Sequence, residues 1–269
     1  MKIKKHITAL ATAAALSATL PAVAQQSQHM TPETMLSLAR VGASALSPDG
    51  KMVVYSVGFP SIKDNKIRTE LFTISSDGSA RRQITQGVAG VHGARWIQQG
   101  RRISYISSES GAPQVWTMAP DGTDRRQVTN IEGGLSDYLF SPDEKQLAYI
   151  KEISFGKSTK EIYPDLPKAT GRIVTDLMYK HWDEWVETIP HIFIAPVGGE
   201  AITGGKDILE GEPYEAPTKP FGGAEELSWS PDGKTLAYSS RKKTGMEYSL
   251  STNTDIYLYD LASGQTRNI

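Results

Sequence analysis

Ser228-Trp229-Ser230-Pro231-Asp232-Gly233-Lys234, running into Leu236-Ala237-Tyr238, is the stretch on which the reading of the fold rests. Pro presets φ at the first turn position, Asp bonds its own backbone, and Gly takes the left-handed position that a tight reversal needs. Apolar residues in near-alternation flank the turn, so the segment reads as a β-hairpin. The same phrase occurs three more times. Ala45-Leu46-Ser47-Pro48-Asp49-Gly50-Lys51 precedes Val53-Val54-Tyr55, and Arg95-Trp96-Ile97-Gln98-Gln99-Gly100-Arg101 precedes Ile103-Ser104-Tyr105. Leu139-Phe140-Ser141-Pro142-Asp143-Glu144-Lys145 precedes Leu147-Ala148-Tyr149.

Each unit continues into a third strand and a second turn. These are Glu70–Ile74 before Asp77-Gly78, Gln114–Met118 before Asp121-Gly122, His191–Ala195 before Gly198-Gly199, and Asp255–Tyr259 before Ser263-Gly264. A short fourth strand closes most units, at Arg82–Thr85, Arg126–Thr129 and Thr266–Ile269. From Gly78 to Gly122 the period is 44 residues, the length of a four-stranded propeller blade. A β-sandwich would not repeat one four-strand unit with the same two turn types. The fold class is therefore all-β: a β-propeller of about four WD40-like blades over residues 42–269, preceded by a lead-in at 25–41. In that lead-in Thr31-Pro32-Glu33, followed by Met35, Leu36, Leu38 and Ala39, predicts a short capped helix.

Two departures interrupt the repeat. The third unit spreads its second and third strands apart with an insertion at about 152–190, and a polar, Pro- and Gly-rich stretch occupies about 206–225. Insertions on a repeat fold usually carry what is specific to the protein.

Composition excludes several classes. Of 269 residues 39% are hydrophobic, enough to fill a core, so wholesale disorder is excluded. With no cysteine, a disulfide scaffold, a cysteine zinc site, a thiol nucleophile and a lipid-modified cysteine all fall away. The 29 basic and 30 acidic side chains form no basic patch, so nucleic acid is not an expected partner. Lys2, Lys4 and Lys5, the 14-residue apolar run Ile7–Leu20, and Ala22-Val23-Ala24 have the layout of a signal peptide over residues 1–24. The run is too short to cross a bilayer comfortably, and no later segment is a membrane span by length and apolarity. The mature chain is expected to be exported, periplasmic or secreted.

The five histidines show no metal-ligand spacing, so no metal is expected. Gly198-Gly199 through Gly204-Gly205-Lys206 resembles a phosphate loop only superficially. Glu200 and Asp207 stand where Gly and Ser/Thr are required, and a blade turn is the better reading. No cofactor is expected.

Several strings carry a family resemblance. They include Thr31-Pro32-Glu33 with Arg40-Val41, the Ser-Pro-Asp-Gly blades, and Phe140-Ser141-Pro142-Asp143-Glu144-Lys145-Gln146. The most specific lie in the insertion: Ile162-Tyr163-Pro164-Asp165-Leu166, Thr170-Gly171-Arg172-Ile173, and Asp176-Leu177-Met178-Tyr179-Lys180-His181-Trp182-Asp183-Glu184-Trp185-Val186. On these, essentially the whole mature chain resembles the amino-terminal half of the bacterial dipeptidyl-peptidase 5 family, within the prolyl oligopeptidase group of serine peptidases. The resemblance implies a propeller over a C-terminal α/β-hydrolase domain, with the active site between them. It further implies an exopeptidase that removes dipeptides from the free amino end of oligopeptides, preferring Ala or hydrophobic residues before the cut.

A hydrolase nucleophile sits in G-x-S-x-G. No such string occurs here, and Gly42-Ala43-Ser44-Ala45-Leu46 lacks the second glycine. No catalytic residue is therefore assigned. The polypeptide is expected to be truncated and inactive alone, its Ser-Asp-His triad lying beyond Ile269. A free-standing periplasmic TolB-like propeller that binds a protein partner is the alternative, and a broader oligopeptidase of the same family changes only substrate details. Homodimerisation is left open.

The candidate substrate-binding cluster is Tyr179, His181, Trp182, Asp183, Glu184 and Trp185. A dipeptide-releasing enzyme must hold a cationic substrate amine, which a fixed carboxylate favours. Related dipeptidyl peptidases do this with an acidic pair on a propeller insertion. Asp183 and Glu184 are placed comparably, although their motif differs from that pair. The plainer alternative is a short helix in which Trp182 and Trp185, three apart, pack one face and the two acids face solvent.

Overall fold

A computed structural model describes residues 29–269; the expected signal peptide lies outside the described residues. Four antiparallel sheets of four strands follow one another along the chain. The first holds β1 (Arg40–Leu46), β2 (Met52–Ser61), β3 (Lys66–Ser75) and β4 (Arg82–Gln83). The second holds β5 (His92–Ile97), β6 (Arg102–Ser107), β7 (Gln114–Met118) and β8 (Arg126–Gln127). The third is built from β9 (Asp137–Phe140), β10 (Gln146–Ser154), β13 (Thr188–Pro196) and β14 (Lys206–Asp207), with β11 (Lys180–His181) and β12 (Glu184–Trp185) forming a separate hairpin inside it. The fourth holds β15 (Leu227–Trp229), β16 (Thr235–Ser240), β17 (Asp255–Asp260) and β18 (Thr266–Asn268). This is the blade unit expected from the repeat.

The turns explain why the repeat is legible. In the first, third and fourth blades the Ser hydroxyl of Ser-Pro-Asp donates to the Asp carboxylate at 2.7 Å, from Ser47 to Asp49, Ser141 to Asp143 and Ser230 to Asp232. Each carboxylate also accepts a backbone N–H two residues on, at 3.1 Å. The Ser hydroxyls and then these amides hold the three carboxyls below the ordinary Asp value of 3.8. Gly50 and Gly233 close their turns at φ +72° and +69°, and Glu144 is forced to +57° at the equivalent place.

Three apolar clusters lie between consecutive blades. Val54, Leu71, Ile103 and Tyr105 join the first to the second. Ile106, Tyr138, Leu147 and Tyr149 join the second to the third, and Ile192, Leu209, Leu236 and Tyr238 join the third to the fourth. The Tyr138 hydroxyl reaches back to the Gly93 carbonyl at 2.9 Å and the Ser104 hydroxyl at 2.8 Å, so this buried phenol is bonded across the blade seam. Trp96 and Trp229, at equivalent positions, each donate the indole N–H to the preceding blade, to the carbonyls of Ala45 and Leu139. Leu46 occupies that position in the first blade and is 59% exposed. Among the described residues no apolar cluster joins the fourth blade to the first.

Two boundaries differ from the sequence reading. The third blade has its fourth strand at Lys206–Asp207, at the start of the polar, Pro- and Gly-rich stretch. Its side chains are polar because His191, fully buried, bonds Asp207 at 2.8 Å, so an apolar pattern is not what marks the strand. In the same blade β10 and β13 stay paired out to Ser154 and Thr188, which shortens the insertion proper to 155–187.

Candidate functional site

Antiparallel order puts the Ser-Pro-Asp turns and the third-to-fourth strand turns at one end of the sheets. The second-to-third strand connections and the passages between blades emerge at the other. All three long departures lie at that second end: 155–187 in the third blade, 208–226 between the third and fourth, and 241–254 in the fourth. They are tied to one another. Asp176 accepts the Gly245 N–H at 2.9 Å, at the start of a short helix (Gly245–Leu250), and His181 meets Glu215 at 2.8 Å.

Four of the six predicted residues sit on or beside the strands of a β-hairpin and Trp182 and Asp183 form its turn, which corrects the helix alternative. Lys180 pairs with Trp185 and His181 with Glu184, leaving Trp182 and Asp183 as a two-residue turn. Trp182 has φ +53°, a value that hairpin turns of this length reserve for Gly or Asn. Its indole, 73% exposed, meets the Phe221 ring edge-on at 4.9 Å between centroids. Trp185 lies under the Arg172 guanidinium at 4.6 Å and the Lys180 ammonium at 4.8 Å, with the Tyr179 ring 6.2 Å away. Asp183 and Glu184 are exposed at the tip, and neither has an ion-pair partner among the described residues.

The hairpin is braced by a carboxylate that the sequence did not single out. His181 Nε2 lies 2.8 Å from Glu215, whose side chain is 1% exposed. Glu215 also takes the Tyr248 hydroxyl at 3.4 Å and stands 3.7 Å from the Arg241 guanidinium. Arg241 in turn covers the Tyr248 ring at 3.8 Å. Burial raises the Glu215 carboxyl above its usual 4.5, against the opposing pull of His181 and Arg241. Burial, with the Glu215 charge beside it, pushes the Tyr248 phenol up to about 12. Glu215 escaped the sequence reading because it is one acid in a Pro-rich stretch, with its partners 34 and 26 residues away. The one local hint is its setting among Pro213, Ala216 and Pro217, where an acid is buried only when it is paired.

Beside the hairpin a cleft of about 1190 Å³ opens between the insertion and the third blade. Of the predicted residues, Tyr179 and Trp185 line it, whereas His181, Trp182, Asp183 and Glu184 do not. Among the described residues no helix is long and apolar enough to cross a membrane.

No family model matches the chain. It is 63% identical over 242 residues to dipeptidyl-peptidase 5 of Porphyromonas gingivalis, covering 90% of this chain and 35% of that protein. Dipeptidyl-peptidase 5 of Porphyromonas endodontalis is 51% identical over 244 residues, with 91% and 35% covered. The chain thus spans about a third of the length of the curated relatives it matches. Among solved structures, Pyrococcus horikoshii acylaminoacyl peptidase superposes with a TM-score of 0.58 at 12% identity, over 88% of this chain and 33% of that one. TolB from Acinetobacter baumannii superposes with a TM-score of 0.51 at 15% identity, over 84% and 42%. These two likenesses carry the propeller fold alone. Together with the identity to the Porphyromonas proteins, the blade architecture establishes that the chain belongs to the dipeptidyl-peptidase 5 family, as its propeller portion.

Proposed function

We propose that the chain is the substrate-gating propeller of an exported dipeptidyl peptidase and that its insertion hairpin holds the amino end of the oligopeptide. The supporting observation is the pair of carboxylates, Asp183 and Glu184, without an ion-pair partner among the described residues, on a hairpin clamped by the His181–Glu215 bond. Two unit charges 4 Å apart attract by about 1 kcal/mol in water and about 4 kcal/mol at the effective dielectric of a protein surface. A free amine therefore gains most once a covering domain excludes water from the tip, and a propeller alone anchors it weakly. Catalysis is assigned to an α/β-hydrolase domain, which the four blades do not supply. The basic start, apolar run and Ala22-Val23-Ala24 support export.

The test is a chimera in which residues 29–269 replace the matching segment of the Porphyromonas gingivalis relative. Asp183→Asn and Glu184→Gln should raise KM for free-amine dipeptide reporters and leave N-acylated reporters unaffected. An unchanged kcat/KM for both variants removes the assignment.

A further inference from the structure

Thr170–Thr175 crosses the insertion without helix, strand, turn or bend, and none of its residues has a positive φ. Among the described residues, its one bonded backbone group is the Gly171 carbonyl, which accepts from Thr159 at 2.6 Å. Every residue of the segment lines the 1190 Å³ cleft. An open run of unpaired N–H and C=O groups is the element to which an extended peptide adds as a strand. Here the run faces a concavity whose other walls include Phe155, Ile162, Met178, Trp185 and Ile189, so a peptide lying there also buries apolar side chains. The volume exceeds the roughly 300–1,000 Å³ that drug-sized ligands need, which suits several residues of chain.

Charge sets the direction. The carboxylates of the cleft are engaged: Glu161 by Ser158, Asp176 by the Gly245 N–H, Glu187 by Arg172 and Glu212 by Lys242. Lys157 and Lys160 line the same cleft with no carboxylate within ion-pair distance among the described residues, although the Ser158 bonds, and then the Lys157 charge, help to hold the Glu161 carboxyl low. They flank the Gly171 end of the run, because Thr159 lies between them and bonds Gly171. We propose that the cleft binds an extended peptide by strand addition along Thr170–Thr175, its carboxyl end directed to Lys157 and Lys160. The occupant is the trailing part of the oligopeptide substrate, an identity that rests on the peptidase reading; the binding itself does not.

The probe is fluorescein-labelled Val-Thr-Val-Thr-Val-Thr with a free C-terminal carboxylate, titrated by anisotropy with the full chain. Saturable binding is expected. N-methylation of alternate residues should weaken it about tenfold in one phase of alternation and little in the other, because only one edge of an added strand faces the run. C-terminal amidation, or Lys157→Gln with Lys160→Gln, should weaken it severalfold, and the two changes together should do little more than either. Val174→Pro removes a donor that makes no bond among the described residues, so it should weaken binding at unchanged Tm. Equal binding by both N-methylated phases overturns the proposal, as does absence of saturation up to about 1 mM. The amine-anchoring test uses dipeptide reporters in a catalytic chimera, so either assignment can fail while the other stands.

Discussion

His181 on the insertion hairpin and Glu215 in the passage between the third and fourth blades meet at 2.8 Å, joining two departures from the repeat into one body. Glu215 also faces Arg241 and Tyr248 from the fourth blade's own departure, so three segments share one buried carboxylate. Removing one partner of such a set leaves the others buried without compensation, at a cost of about 3–5 kcal/mol.

Glu215→Ala should therefore lower Tm by roughly 6–20 °C, at about 2–4 °C per kcal/mol for a chain of this size. Limited proteolysis should open first within 155–187. Glu215→Gln, which keeps the shape and two hydrogen-bonding groups, should lose less. A calorimetric Tm unchanged in Glu215→Ala would contradict the bracing role.

The same carboxylate gives a pH signature. Its folded pKa is raised above the unfolded 4.5, so its contribution is fully present below that value and is lost as pH rises through the folded pKa. Glu215→Gln should flatten the decline of stability above pH 4.5. Asp49, Asp143 and Asp232 have the opposite sign, since their lowered pKa values stabilise the fold above 3.8 and that contribution is lost as pH falls. Replacing all three by Ala should flatten the acid limb of a Tm-versus-pH curve and leave the Glu215 limb in place.

Trp182 separates folding from recognition. Its positive φ costs about 1–2 kcal/mol, whereas the edge-on contact with Phe221 returns about 0.5–1.5 kcal/mol. The two nearly cancel, so Trp182→Gly should shift Tm by only a few degrees while raising KM for peptide reporters in the catalytic chimera. A large fall in Tm with unaltered KM would make the residue purely structural.

The first blade exposes Leu46 and Val41 at 59% and 73%, whereas the equivalent Trp96 and Trp229 bond the preceding blade. Uncovered apolar faces and strand edges are adhesive. Purified chain should bind a hydrophobic dye and self-associate in sedimentation, and Leu46→Lys with Val41→Lys should reduce both. A sharp monomeric melt without dye binding would show that these faces are covered.

The propeller could be recognised from sequence because its blades are specified locally. Ser47 bonds Asp49, and Asp49 bonds the Lys51 amide, all within five residues, so the same string makes the same turn wherever it recurs. Apolar alternation then orients each strand without help from distant residues. The site has no such locality. A spacing of three between Trp182 and Trp185 suits a helix face as well as a hairpin, and only the pairing of His181 with Glu184 across the turn settles it. The role of Glu215 rests on His181, Arg241 and Tyr248, each more than twenty residues away, and a hydrogen bond between distant residues exists only once the blades have packed and the water between them has gone. Sequence by itself determined the sheet units and their order; tertiary structure decided which charges are paired, buried or left facing the cleft, because desolvation is a property of the assembled surface and not of any string of residues.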